Sequence, residues 1–210
     1  MTNAGTRSMV IASDYRVPDP SRVPRLLEKR VPALAEIGAH HVMVHASSTD
    51  QGRVLVSIAV HNRGPIVDLL RSRVFFDWFD SVGVEDIPAV FAGELVDRID
   101  ITDSADPVAP PGVIVAAMTS VHDVSELVEH VHSALGRFAA AGVQKTWIFQ
   151  AFDDSQEVMI LSEIDDAENA RRWIEHPDPA AEWMANAGMG AYPPLFVGKL
   201  LQTMRIDETS

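Results

Sequence analysis

The chain has 210 residues, 47% of them hydrophobic, and a formal charge of −13 from 30 acidic and 17 basic side chains. That length suits two domains of ordinary size, and the acidity argues against nucleic-acid or anionic-membrane partners, whose phosphates are held by clustered cations. With no cysteine, a disulfide framework, a thiolate nucleophile and a Cys-ligated metal are all excluded.

In chain order, Met1 to Val10 shows no basic region followed by an apolar run, and no later apolar stretch approaches the roughly 18 residues of a membrane span, so a cytoplasmic protein is expected. A strand is predicted near Met9 to Ser13, then a helix from about Ser21 to Ile37. Pro32 falls inside that helix. It removes a backbone donor and crowds the carbonyl four residues back, which predicts a kink near Glu28 with no counterpart later in the chain. A hairpin is predicted around Ser48 to Gly52, a second helix opening at Gly64-Pro65, and a strand near Val90 to Ile99.

Thr102 to Pro111, acidic and proline-rich, reads as a linker between a first repeat at 1–101 and a second at 112–210. Gly112 to Thr119 is a short run rich in β-branched residues, and Asp123 with Glu126 makes a capping box. Leu127, Val131, Leu135 and Phe138 then form one apolar helical stripe that Gly142 ends. Lys145 to Phe152 and Glu157 to Ile164 flank the turn Asp153-Asp154-Ser155. Asp165 or Asp166 caps another helix, broken near His176-Pro177 and resumed to Gly188, and Leu195 to Met204 closes the chain as a strand.

The second series copies the first. Val54 to Ile101 lies on Met159 to Ile206 at an offset of 105 without a gap, pairing Trp78 with Trp183, Gly93 with Gly198 and Phe91 with Phe196. Upstream the offset is 104, pairing Leu27 with Val131 and Gly38 with Gly142, so the reading places a one-residue slip before Val54. Such a repeat sets the architecture. Each copy is β-α-β-β-α-β, the ferredoxin-like unit, whose helices cover one sheet face only. The other face amounts to roughly 400 Å² of apolar strand, about as much as a soluble monomer exposes. The expected fold is therefore α+β, with tandem ferredoxin-like repeats packing sheet on sheet into an intramolecular α+β barrel.

On element order, repeat length and the pattern Trp173-Ile-Glu-His176 followed by Trp183-Met-Ala-Asn-Ala-Gly188, the chain resembles the dimeric α+β barrel superfamily, and within it the branch of antibiotic-biosynthesis monooxygenases. The first repeat departs from the pattern, with Asp68 and Arg71 where Trp173 and His176 stand. The resemblance implies a small-molecule enzyme, of which a cofactor-independent monooxygenase acting on an apolar or aromatic substrate is one form. It also implies a pocket between the sheet and its helices, and either a monomeric pseudo-dimer or a homodimer. The alternative from another class is a non-catalytic ligand-binding or stress-associated protein, with a haem protein as a lesser one.

His176 is the candidate proton-transfer group, since a partly desolvated imidazole beside Trp173 suits acid–base work near neutral pH; closing a helix end ahead of Pro177 is the simpler explanation of it. Trp147, Phe149 and Trp173 are candidate walls for a flat ligand. Trp78 and Trp183, matched between copies, read as structural. His41, Met43 and His45 alternate along one strand and share a face, His61 ends the neighbouring strand, and Phe149 replaces His45 in the second copy. His45 and His61 thus count as possible binding residues, or as hydrogen-bonded core histidines. No metal-ligand spacing, phosphate loop or nucleophile elbow is present, so no metal and no cofactor is expected.

Overall fold

The computed structural model describes residues 8–61, 63–102, 112–166, 168–170, 172 and 195–206. By its contacts the chain forms two compact units, Met1–Glu94 with Leu200–Ser210, and Leu95–Lys199.

The first unit contains β1 (Met9–Arg16), α1 (Arg22–Glu28), α2 (Val31–Glu36), β2 (Ala39–Ser47), β3 (Arg53–Val60), α3 (Arg63–Leu70), α4 (Arg73–Val82) and the first half of β4 (Ala89–Asp100). Its strands run in the order β4-β1-β3-β2, the ferredoxin-like order, with antiparallel pairing in the registers Ile11 to Ile58, Ala12 to Phe91 and Val44 to Val56. The second unit contains β5 (Val113–Ser120), α5 (Val124–Ser133), α6 (Leu135–Ala140), β6 (Val143–Ala151), β7 (Glu157–Ile164) and the first half of β8 (Phe196–Arg205). It repeats the order as β8-β5-β7-β6. Tandem ferredoxin-like repeats are therefore what the chain folds into.

Each unit also has a fifth strand beside its second. In the first it is the end of β8, where the Ile206 N–H donates to the His40 carbonyl at 3.1 Å; in the second it is the end of β4, where the Ile101 N–H donates to the Gln144 carbonyl at 2.8 Å.

Alternation sorts the side chains. In the first unit Ile11, Ser13 and Tyr15 of β1, Val56 and Ile58 of β3, and Val42 and Val44 of β2 share the face that the helices cover. Ala12, Leu55, Phe91 and His45 share the other face, and it too is removed from solvent, each of the four being at most 1% exposed. The second unit behaves alike: Val115, Ile148 and Val158 join Leu127, Val131 and Phe138 in one buried cluster, while Ile114, Met159 and Phe196 are buried on the opposite face.

Two sequence expectations change. Helix one is broken in both copies, at Arg30 (φ −102°, ψ 4°) and at Ala134 (φ −99°, ψ 5°), although only the first carries a proline. Pro32 lies in the opening turn of α2, where its missing N–H has no partner to lose. The break therefore belongs to the unit, and the proline is merely compatible with it.

The slip between copies also moves. Val44 faces Val56 and Ile148 faces Ile160, so β2 to β6 and β3 to β7 both keep the offset of 104. The His61 N–H binds the Gly38 carbonyl as the Asp165 N–H binds that of Gly142, still at 104. Only β4 to β8 stands at 105, through Ala12 with Phe91 and Ala116 with Phe196. The extra residue therefore follows β7 and does not precede it.

Candidate functional site

Between β1 and β3 and the helices of the first unit lies a cavity of about 80 Å³, open on one side. Its floor is Ile11, Ser13, Val56 and Ile58, side chains that alternation places together. Leu27, Arg30, Ala33, Leu34 and Ile37 line it from helix one and its break, at a spacing that keeps one face inward. Leu69 of α3 and Phe75 and Trp78 of α4 complete the wall. Such a volume holds a small ring or a few waters, and the lining offers little to hold water.

The aromatic wall is held firmly. Ser72 caps α4 by accepting from the Phe75 N–H, and Gly83, at φ 74°, ends it. Phe75 meets Phe79 edge to face at 5.0 Å, and Phe79 meets Tyr15 likewise at 5.4 Å. Burial pushes the Tyr15 phenol far above its ordinary range, opposed only partly by the Trp78 indole beside it. That indole contact falls short of a full hydrogen bond, and the phenolic oxygen makes none of good geometry among the described residues. Tyr15 is thus a neutral phenol at any ordinary pH. Two polar side chains line the cavity itself, the buried Ser13 and the exposed Arg30.

None of the described sequence-predicted residues, His45, His61, Trp147 and Phe149, lines this cavity. His45, with no exposed surface, is on β2, on the sheet face opposite the cavity. His61 stacks on His40, ring centroids 4.2 Å apart. His41 is half-buried, and burial first, then the charge of Arg205, hold its imidazole below the ordinary value. Trp147 and Phe149 sit on β6 of the second unit, across from Leu161 and Met159 and on the face away from the helices. The same face carries Lys145 and Glu163, their charged atoms 3.8 Å apart; burial raises the Glu163 carboxyl and the Lys145 charge lowers it less. Trp173, His176 and Trp183 lie outside the described residues. Among the described residues no three His, Asp or Glu side chains are grouped to hold a metal ion, and no helix is long and apolar enough to cross a membrane.

The whole chain superposes on the crystal structure of an anthrone oxidase-like protein with a TM-score of 0.69 at 11% identity, covering 100% of this chain and 98% of the other. A ferredoxin-fold protein from Listeria monocytogenes, related to antibiotic biosynthesis monooxygenases, matches over 96% of this chain and 99% of its own, with a TM-score of 0.52 at 11% identity. The chain shares the ferredoxin-like fold of these proteins. A heme-binding protein from Thermus thermophilus has the same fold, with a TM-score of 0.53 at 15% identity over 93% of this chain and 92% of that one. No family model and no curated protein matches the sequence. His45 offers no open position to a haem, since its ring is wholly enclosed.

Sequence reasoning missed Ser13, Arg30 and the first-unit cavity as a whole. One signal was available: in the copies aligned at 104, Ser13 and Arg30 answer to Ala117 and Ala134, so these two polar lining positions are polar in one copy alone.

Proposed function

We propose that the protein binds a small, flat, apolar or aromatic molecule in the cavity of its first unit. The observation that carries this reading is the cavity's lining: aliphatic side chains and two aromatic rings on well-fixed elements, with a single hydroxyl and a single cation among them. The second unit differs where it is described, since Phe138 and Ile160 take the places of Leu34 and Val56 in its packed cluster.

A second reading makes the protein a cofactor-independent oxygenase, and the likeness to an anthrone oxidase-like protein favours it. With anthrone as substrate, one oxygen atom of O₂ would replace the two hydrogens of the reactive methylene and the other would leave with them as water. The proton-transfer group proposed for that step is His176, with Trp147, Phe149 and Trp173 as further ligand contacts. Among the described residues, the side chains lining the first-unit cavity include no carboxylate or imidazole to act as a base. Native mass spectrometry of copurifying small molecules tests the first reading: a bound aromatic compound that Leu34→Trp displaces is expected, and retention in that variant contradicts the site. Oxygen uptake with anthrone tests the second. A rate above background that His176→Ala lowers at least about tenfold is expected if the histidine moves the proton, and background rates throughout refute it.

A further inference from the structure

Cations are scarce in this protein, and those near its charged clusters are spoken for. Arg53 holds Asp14 through two contacts at 2.8 and 2.5 Å, Arg16 pairs with Asp50 and Asp86, and Arg98 with Asp100. Arg30 stands apart. Its backbone closes the break of helix one, its N–H donating to the Leu27 carbonyl and its carbonyl accepting from Leu34. Its guanidinium has no ion pair or side-chain hydrogen bond among the described residues.

The break fixes where that guanidinium starts. With Leu27 and Leu34 three and four residues away on the same inward side, the stem of Arg30 runs along the cavity rim while its head stays in water. Ala134 has the same backbone angles in the second unit and is buried, so the fold needs no arginine there. A charge that the backbone does not require, without an ion pair among the described residues and at the mouth of an apolar cavity in a chain of net charge −13, fits a ligand that brings its own counter-charge.

We infer that the first-unit cavity selects an aromatic ring bearing a carboxylate, the ring lying between Leu34, Val56 and Trp78 and the carboxylate meeting Arg30 at the rim. This rests on the cavity being the ligand site, as proposed above. A planar fork matches two carboxylate oxygens better than a point charge does, so the contact also orients the ring.

The test is calorimetric titration of the full chain at about pH 7.5 with 2-naphthoate and with its neutral analogue 2-naphthamide. The wild type is expected to bind naphthoate about tenfold more tightly, the scale of one charge-assisted contact at a wet rim. Arg30→Ala is expected to bring the ratio of the naphthoate and naphthamide affinities to about one, and Arg30→Lys to keep part of the preference. Because Arg30 is exposed, both variants should fold, and circular dichroism checks that they do. If both compounds bind equally and Arg30→Ala changes neither, the charge inference fails and the cavity reading stands. If neither compound binds the wild type, or if Leu34→Trp leaves naphthoate affinity intact, the cavity reading itself fails.

Discussion

At the scale of single residues, the histidines show how burial redirects a sequence reading. Alternation along β2 placed His41, Met43 and His45 on one face, and that holds; what alternation does not tell is which of two buried faces adjoins a cavity. His45 lies on the face away from it, and Trp147 and Phe149 do the same in the second unit. His41 provides a stability test. Its imidazole is held below the ordinary value by burial and then by Arg205, so the folded chain takes up this proton less readily than the unfolded chain. Its contribution is present above about pH 6.5 and is lost as the pH falls through that value and below. Urea unfolding at about pH 7.5 and about pH 5.5 is expected to show a larger acid loss for the wild type than for His41→Gln. Because the ring is only half-buried, the difference should stay under about 1 kcal/mol. Equal losses would remove the assigned penalty.

At the scale of elements, strands and turns were largely legible because their signals are local: the Asp123 cap receives both the Ser125 and the Glu126 N–H groups, and Gly142 takes φ 82° as a helix stop requires. The break at Ala134 was not legible. No proline marks it, Gly136 falls inside the helix that follows, and the break forms where the Ala134 N–H turns to the His130 and Val131 carbonyls together. The register slip was hidden for a related reason. In β3 and β7 apolar residues follow one another, so a one-residue shift looks equally good as sequence, although it would turn every side chain to the wrong face. If the break belongs to the unit, Pro32→Ala should leave α1 and α2 separate, as judged from backbone chemical shifts. It should cost no more than about 1 kcal/mol in urea unfolding, through the unfolded chain's added freedom. A continuous helix across Lys29 and Arg30 in that variant would return the break to the proline.

At the scale of the molecule, the internal repeat made the architecture readable and the site unreadable. Matching positions carry the fold: Phe91 with Phe196, Gly38 with Gly142, Leu27 with Val131. The proposed ligand recognition rests instead on positions where the copies disagree, Ser13 against Ala117 and Arg30 against Ala134, and a search for matched aromatics passes over them. Trp78 shows the converse, since a residue matched between copies and read as structural also lines the cavity. The central claim is that the first unit's space between sheet and helices takes the ligand. Titration of 2-naphthoate into protein carrying ¹³C-labelled isoleucine, leucine and valine methyls addresses it directly. The account predicts shifts concentrated at Ile11, Leu27, Leu34, Val56, Ile58 and Leu69; shifts confined to methyls of the second unit, such as Leu161 and Ile114, would contradict it.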